Sequence, residues 1–200
     1  MTDACPSDIP SELRRKCNDN ALYAFGKAYV FEQRSHVFHR RLILLNFLGI
    51  AVPILVYGII APVNLTPCTQ NVIITAASVA STVLLVLSAW SLAANWEQQY
   101  SKSLQSQMDF SELSRLYKEL GVTTLVGLQE YKAEVARLDS LTEKADRLAM
   151  ELRMPDEEKR MGMRAALREF QRKCAGCGTV PTDITSTPCN ICGNFQRWRV

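Results

Sequence analysis

The sequence predicts an all-α membrane protein that consists of a two-helix transmembrane hairpin, long cytoplasmic helices and a small C-terminal zinc ribbon. Three observations predict this fold class. Residues 42–96 contain no Asp, Glu, Lys, Arg or His. The segments on either side repeat apolar residues at the three- and four-residue spacing of amphipathic helices. The C-terminal end contains two Cys-x-x-Cys motifs separated by eleven residues, which is the spacing of a metal site.

These observations divide the 200 residues into four predicted regions. They are an N-terminal cytoplasmic helix (1–40), the transmembrane hairpin (41–96), a cytoplasmic helical region (97–170) and the zinc ribbon (171–200). The formal net charge of +3 is too small for a surface that binds duplex DNA throughout. We find no phosphate-binding loop, paired-carboxylate site or nucleophile motif, so we expect that the protein is not an enzyme. We also find no signal peptide at the N-terminus.

The N-terminal region is predicted to be a helix that continues into the first membrane span. It follows Pro10 and a capping Ser11. Its apolar residues recur at intervals of three to five, and they are Leu13, Cys17, Leu22, Phe25, Tyr29 and Val30.

Residues 42–63 and 72–94 are the two predicted spans. As helices they are each about 33–35 Å long, which crosses a hydrocarbon core of roughly 30 Å with some tilt. The segment between them contains Pro67 and Asn residues that turn the chain. The alternative is a buried helical pair in a soluble core, which needs an enveloping domain that the amphipathic flanking segments do not supply.

Basic residues flank the first span, whereas the turn between the spans carries no charge. The flanking residues are Arg34, His36, His39, Arg40 and Arg41. By the positive-inside rule, both termini are predicted to be cytoplasmic. Metal-binding thiolates require a reducing compartment, which independently favours the same orientation.

The second span carries polar residues on two adjoining arcs of its surface. They are too many for a helix that faces lipid alone. One interpretation is close helix association within an oligomer, and the other is association around a water-filled pore. Leu85 and Leu92 project between the arcs and could form a hydrophobic constriction. The pore-lining candidates are Asn71, Thr75, Ser78, Ser81, Thr82, Leu85, Ser88, Leu92 and Asn95.

Three cytoplasmic helices are predicted after the spans. The first continues in helical register from the second span, with Ser111 as a possible cap and Gly121 as its stop. The second covers residues 123–154 and has a near-heptad apolar face, typical of packing within the chain or between copies. The third begins after Pro155 with acidic residues that suit a helix N-terminus.

Cys174, Cys177, Cys189 and Cys192 are the predicted ligands of one structural Zn²⁺. Four thiolates form a closed tetrahedral shell with no open position for a substrate. The glycine after each motif is expected to allow the backbone conformation of a knuckle, and the β-forming residues between Pro181 and Pro188 predict a short hairpin. Folding of so small a module is expected to depend on the metal.

Basic and aromatic residues are interleaved on both sides of this module. This pattern suits a ligand with phosphates and bases, such as a nucleotide or oligonucleotide, but the aromatics could equally pack against the ribbon while the basic residues are solvated. The ligand-binding candidates are Arg168, Arg172, Lys173, Phe195, Arg197, Trp198 and Arg199.

The order of these parts resembles the SLATT family, two-transmembrane effectors of bacterial antiphage defence, and in particular a branch on mobile elements with this cysteine spacing. The resemblance implies a homo-oligomeric ion channel, for which we guess a tetramer, in the bacterial inner membrane. It further implies that a partner nucleotidyltransferase makes the nucleotide or oligonucleotide that gates the channel, which acts by depolarisation and growth arrest. The alternative function is a membrane-anchored zinc-ribbon adaptor that recruits protein or nucleic acid.

Overall fold

The computed structural model describes residues 9–60, 67–123 and 127–196 of the chain. These residues contain helices and no strands, which confirms the predicted all-helical fold. The five helices are α1 (Ser11–Ile60), α2 (Pro67–Ala93), α3 (Trp96–Val122), α4 (Leu128–Met150) and α5 (Asp156–Glu169). The chain forms two compact units, one of residues 1–34 and 102–200 and the other of residues 35–101.

The first unit is a helical bundle with an aromatic core. The first part of α1 packs with most of α3, with α4 and with α5, and the rings of Phe31 and Phe110 stack at 5.9 Å between centroids. Helices α3 and α4 are antiparallel, because the Tyr117 hydroxyl donates to Asp139 Oδ1 at 2.8 Å while Lys102 pairs with Glu151 near their other ends. The largest fully buried side chains include Tyr117, Tyr131, Phe31, Phe110 and Leu138.

A buried ion pair joins α1 to α5. Arg34 Nε donates to Glu158 Oε2 at 2.7 Å, and its two terminal nitrogens donate to the carbonyls of Leu152 and Arg153. The guanidinium therefore satisfies both an acid and the backbone between α4 and α5. Arg34 was one of the cations used to predict orientation, but its charge is compensated inside the bundle, so that prediction depends on the remaining basic residues of the flank.

Helices α1 and α5 cross at two glycines. A Cβ atom placed on Gly162 would lie 2.5 Å from the Gly26 carbonyl oxygen and 2.9 Å from Val30 Cγ2. A Cβ on Gly26 would lie 3.0 Å from the Gly162 carbonyl oxygen. The two backbones are thus in van der Waals contact, and this close crossing brings α5 and the cysteine module that follows it against α1.

Several predicted helix boundaries are corrected. Helix α4 begins at Leu128 and ends at Met150, inside the predicted range 123–154, of which residues 124–126 lie outside the described residues. Helix α3 does not continue α2 in register, since Asn95 takes a left-handed conformation with φ 50°. Asparagine tolerates this conformation better than most residues, so it permits the break. Gln171, with φ 49°, follows the end of α5.

The second unit contains the apolar part of the chain. In the described ranges, one helix is long and apolar enough to cross a membrane, Asn71–Ala93, with mean hydropathy 2.3 and none of its most apolar window buried. The structure continues α1 without a break through residue 60. Residues 61–63 of the first predicted span lie outside the described residues, so the two-span hairpin remains a prediction.

Candidate metal centre

Four cysteine sulfurs converge at the C-terminal end of the chain. The Sγ atoms of Cys174, Cys177, Cys189 and Cys192 all lie within 4.8 Å of one another. Two of the separations are 3.9 Å (Cys174 to Cys189) and 3.7 Å (Cys177 to Cys192). Sulfurs bound to zinc at about 2.3 Å in a tetrahedron are about 3.8 Å apart, so the donor set fits a tetrahedral metal ion. The four cysteines therefore fit a metal site, as the spacing predicted.

Two equivalent backbone turns position the sulfurs. The Gly178 amide donates to the Cys174 carbonyl at 2.8 Å, and the Gly193 amide donates to the Cys189 carbonyl at 2.9 Å. Within the turns, the Gly176 and Ile191 amides point at the first sulfur of each motif, at 3.4 and 3.5 Å. N–H groups directed at sulfur stabilise the thiolate form that a metal requires.

The two glycines that follow the motifs are required for different reasons. Gly178 has φ 70°, a left-handed conformation that glycine adopts without strain. Gly193 does not have a positive φ, but a Cβ there would lie 2.2 Å from Thr187 Oγ1 and 2.3 Å from the Thr187 carbonyl oxygen. At the second motif, therefore, close packing rather than backbone conformation requires glycine, which corrects the predicted reason.

The predicted β-hairpin between the motifs is wrong. The described residues 171–196 contain turns and bends but no strand. Pro181 and Pro188 have no amide hydrogen to give to a ladder. In addition, Asp183 Oδ1 accepts the Thr185 amide at 3.0 Å, so a local side-chain turn replaces strand pairing.

The module packs on the bundle through its buried cysteines. Cys174 and Cys192 are 2% and 0% exposed and lie in one apolar cluster with Leu22 of α1 and Ala166 and Leu167 of α5. Cys177 is exposed and Cys189 is half-buried. One side of the metal site is therefore shared with the bundle core, and the other side faces solvent.

Arg164 of α5 is a buried cation beside the four sulfurs. Its side chain is 8% exposed, and Nε donates to the Asp183 carbonyl at 2.8 Å while Nη2 pairs with Asp183 Oδ1 at 3.1 Å. Nη1 lies 3.4 Å from Thr187 Oγ1, 3.5 Å from the Cys192 carbonyl oxygen and 4.0 Å from Cys192 Sγ. The guanidinium thus contacts both parts of the loop, and it would partly compensate the net charge of −2 that four thiolates around a divalent cation would have.

The pKa values of the thiols follow their surroundings. Hydrogen bonds from the hydroxyl and amide of Thr179 lower the pKa of Cys177 to about 6. Backbone amides of Cys192 and Ile191 lower the pKa of Cys189. Burial, followed by the neighbouring cysteines, raises the pKa of Cys192. The surroundings of Cys177 and Cys189 thus favour the thiolate form that metal ligation requires, whereas burial disfavours it at Cys192.

The predicted ligand-binding residues do not form one surface. Phe195 is 5% exposed and packs with Val30 and Met161, so its ring is part of the core. Arg172 pairs with Asp19 of α1. Arg168 and Lys173 are exposed. The remaining candidates, Arg197, Trp198 and Arg199, lie outside the described residues.

The pore-lining candidates lie along α2 and its C-terminal end. Leu85 and Leu92 are 72% and 77% exposed. The hydroxyls of Thr75, Ser78 and Thr82 donate to carbonyls one turn earlier in α2, at 2.8–2.9 Å. Ser88 is half-buried, and the other candidates, Asn71, Ser81 and Asn95, are exposed.

Sequence reasoning missed Arg164 and the Gly26–Gly162 crossing. A signal for Arg164 existed, since it lies between the apolar residues Met161 and Ala165 of α5, on the side that becomes buried. The crossing had no comparable signal, because isolated glycines in helices do not indicate which helix they meet.

The fold and site define an α-helical protein with a C-terminal four-cysteine metal-binding module. The sequence matches the family described as Mobilome CxxCx(11)CxxC protein over residues 14–195, and the chain belongs to this family. This finding confirms the predicted mobile-element branch with its cysteine spacing. Searches of curated proteins and of solved structures each returned no match.

Proposed function

We propose that the protein is a homo-oligomeric ion channel of the bacterial inner membrane, with both termini cytoplasmic. The observation that carries the proposal is the helix Asn71–Ala93, which has no buried residue in its most apolar stretch and yet carries a polar stripe. A contiguous apolar surface of this size requires lipid or protein to cover it. A stripe of small and hydroxylated residues suits contact between copies around an axis, and one helical hairpin cannot enclose a conduit by itself.

The constriction in this proposal consists of Leu85 and Leu92. Both side chains are exposed in the single chain, between arcs that carry Ser and Thr hydroxyls. A ring of leucines in an otherwise polar conduit gates by excluding water. Because residues 42–96 contain no acidic side chain and Arg40 and Arg41 precede them, we propose that anions are favoured.

The bundle and the metal module form the sensing part in this proposal. Following the resemblance to SLATT effectors, a nucleotide or oligonucleotide from a partner nucleotidyltransferase gates the channel, and depolarisation arrests growth during phage infection. The metal is Zn²⁺, and its role is structural, because four thiolates leave no open coordination position. The protein acts without catalysis, and we propose a tetramer.

Ion flux through liposomes that contain the purified protein tests the channel directly. We expect Leu85→Ser to increase basal flux, because a hydroxyl removes the barrier to water. Leu87→Ser is the matched control, since Leu87 is also an exposed leucine of α2 but lies about 160° around the helix from Leu85, at 100° per residue. Absence of flux in wild type and in both variants, with and without oligonucleotide, would refute the channel.

A specific observation favours the second candidate, a membrane-anchored adaptor. The hydroxyls of Thr75, Ser78 and Thr82 already donate to carbonyls of their own helix, so they need neither water nor a partner. In this case the hairpin only anchors the chain, and the zinc ribbon recruits protein or nucleic acid. An unrelated two-span anchor in place of residues 41–96 would then preserve function, whereas a channel would lose it.

A further inference from the structure

We propose that a second copy of this chain docks on an open groove between α3 and α4, with the acidic wall of each groove against the basic wall of the other. The inference names a surface by which copies of the proposed homo-oligomer meet, so it rests on self-association but not on ion conduction. The groove lies within the first unit and has a volume of about 490 Å³. In a tetramer, two such pairs are present.

The floor of the groove is apolar. Leu113 and Ala145 are buried, Leu116 is half-buried, and Leu141 and Leu148 are 37% and 46% exposed. Leu141 and Leu148 are seven residues apart, so they lie on one stripe of α4, with the spacing by which helices of different chains pack. A single chain leaves both leucines in contact with water, and a partner that covers them adds hydrophobic free energy to the contact.

The two walls of the groove carry opposite charge. The charged lining residues of α3 are both acidic, Asp109 and Glu112, whereas those of α4 are both basic, Arg137 and Lys144. Arg137 already pairs with Glu134 of its own helix. In the part of the chain that the structure describes, Asp109, Glu112 and Lys144 form no ion pair. Three charges are therefore available to a partner that presents the opposite sign at each wall.

The antiparallel packing of α3 and α4 places two of these charges at the same level. The Tyr117 hydroxyl donates to Asp139 across the two helices. Glu112 is five residues before Tyr117, and Lys144 is five residues after Asp139, so the two charges lie at about the same level along antiparallel helices. A twofold axis parallel to the helices keeps every residue at its level and exchanges the two walls.

The charges favour one of two arrangements of a symmetric pair. In a face-to-face pair, the twofold axis lies in the interface and runs either along the helices or across them. An axis along the helices places α3 of one copy over α4 of the other, so Glu112 meets Lys144 of the second copy at two equivalent places. An axis across the helices places α3 on α3 and brings like charges together, which is unfavourable. The groove therefore fits a second copy in the first arrangement, in which four helices form a bundle.

Photocrosslinking of the full-length protein in detergent measures whether another copy covers the groove. The photoreactive residue p-benzoylphenylalanine replaces either Leu148, which lines the groove, or Met150, an exposed residue of α4 that lies about 160° around the helix and outside the groove. We expect a covalent dimer on a denaturing gel from position 148. Position 150 is the control, and it should give a much lower yield.

Charge reversal tests the arrangement of the pair. Glu112→Lys and Lys144→Glu should each raise the protein concentration needed for half-maximal crosslinking about tenfold, because each turns two attractive contacts of the pair into repulsive ones. The double variant Glu112→Lys/Lys144→Glu should restore the wild-type value, since it exchanges the two charges and keeps them complementary. Lys132→Glu is the matched control, because Lys132 is exposed on α4 and does not line the groove.

Salt provides a second measurement that needs no charge reversal. An increase from about 0.1 M to about 1 M shortens the screening length from about 10 Å to about 3 Å, so exposed ion pairs weaken. The yield of covalent dimer from position 148 should therefore fall as salt rises. An unchanged yield would show that the charges do not hold the pair together.

Three results would overturn the proposal: no covalent dimer from position 148, equal yields from positions 148 and 150, or no recovery in the double variant. Ion flux through liposomes that contain the same protein separates this outcome from the proposed function. Flux without the covalent dimer removes this interface and keeps the channel, whereas the covalent dimer without flux keeps the interface and removes the channel.

Discussion

Replacement of Arg164 by glutamine should weaken metal binding at the C-terminal module. The side chain is almost completely buried and contacts both the Asp183 loop and the Cys192 motif. Arg168→Gln is the matched control, because Arg168 lies one turn later on α5 and is exposed. The comparison separates the loss of a particular contact from the loss of one positive charge on the helix.

The expected magnitude follows from the geometry around Arg164. Its Nη1 lies 4.0 Å from Cys192 Sγ, a distance at which two unit charges interact by about 4 kcal/mol near a protein surface. Desolvation of the guanidinium offsets part of that energy. Residues that support metal ligands from behind typically contribute a factor of about 10–100 in affinity. We therefore expect Arg164→Gln to raise the zinc dissociation constant about 10- to 100-fold, equivalent to about 1.4–2.7 kcal/mol.

Competition with a chromophoric chelator measures the zinc dissociation constant for wild type and both variants at one pH. Cobalt substitution, with its sulfur-to-metal absorption, reports whether all four thiolates still bind. The reasoning predicts that Arg164→Gln releases metal earlier than Arg168→Gln while the cobalt spectrum keeps tetrahedral geometry. Equal affinities for the two variants would refute it, because the contacts to Asp183 and Cys192 would then be irrelevant to the site.

Three more predictions concern the bundle and its link to the module. Gly162→Ala should destabilise the protein by about 1–3 kcal/mol because its Cβ meets the Gly26 backbone, whereas Gly127→Ala, where a Cβ meets nothing within 4 Å, should have little effect on thermal unfolding. Burial raises the pKa of Glu158 more than Arg34 lowers it. The protonated Glu158 carboxyl therefore contributes fully to stability below the ordinary pKa of glutamate, and this contribution is lost as pH rises through the raised pKa in the folded protein. Wild type should therefore lose stability relative to Glu158→Gln as pH rises from about 4, and the opposite trend in unfolding midpoints would mean that the attraction of Arg34 dominates. Removal of metal by a chelator should increase hydrogen exchange at residues 174–192 while Tyr117 and Tyr131 keep protected amides, and unchanged exchange at the module would contradict coupled folding.

Features predicted correctly from the sequence depend on neighbours along the chain. The helical periodicity before and after residues 42–96 reflects which face of each helix becomes buried, and that face repeats every three to four residues. Cysteines with two residues between them lie on one turn, so the spacing of Cys174 and Cys177 indicated a metal site without any knowledge of the bundle. The β-forming residues between Pro181 and Pro188 led to the wrong prediction of a hairpin, because strand propensity is only a weak preference. The turn-forming side chains and the missing amide hydrogens of the two prolines outweigh it.

Features that the sequence did not reveal depend on residues far apart in the chain. Arg34 and Glu158 are separated by 124 positions, so their pairing, and hence the burial of a cation counted as a membrane flank, could not be foreseen. Phe195 likewise looked available for stacking on a base, but it packs with Val30 in the core. In both cases the role of the side chain depends on which helix packs against it, and the local sequence does not specify that helix.

The sequence by itself determined that this protein has an uncharged stretch of membrane-spanning length, amphipathic helices on both sides and four cysteines with metal-ligand spacing at its C-terminal end. Each of these is a local pattern, because hydropathy, periodicity and ligand spacing act over a few turns of chain. Only the tertiary structure decided that Arg164 is buried beside the four cysteines, that Gly26 and Gly162 let α1 and α5 touch, and that Asn95 turns the chain between α2 and α3. These features arise where distant segments meet, since backbone contact and buried charge compensation exist only after the helices have packed.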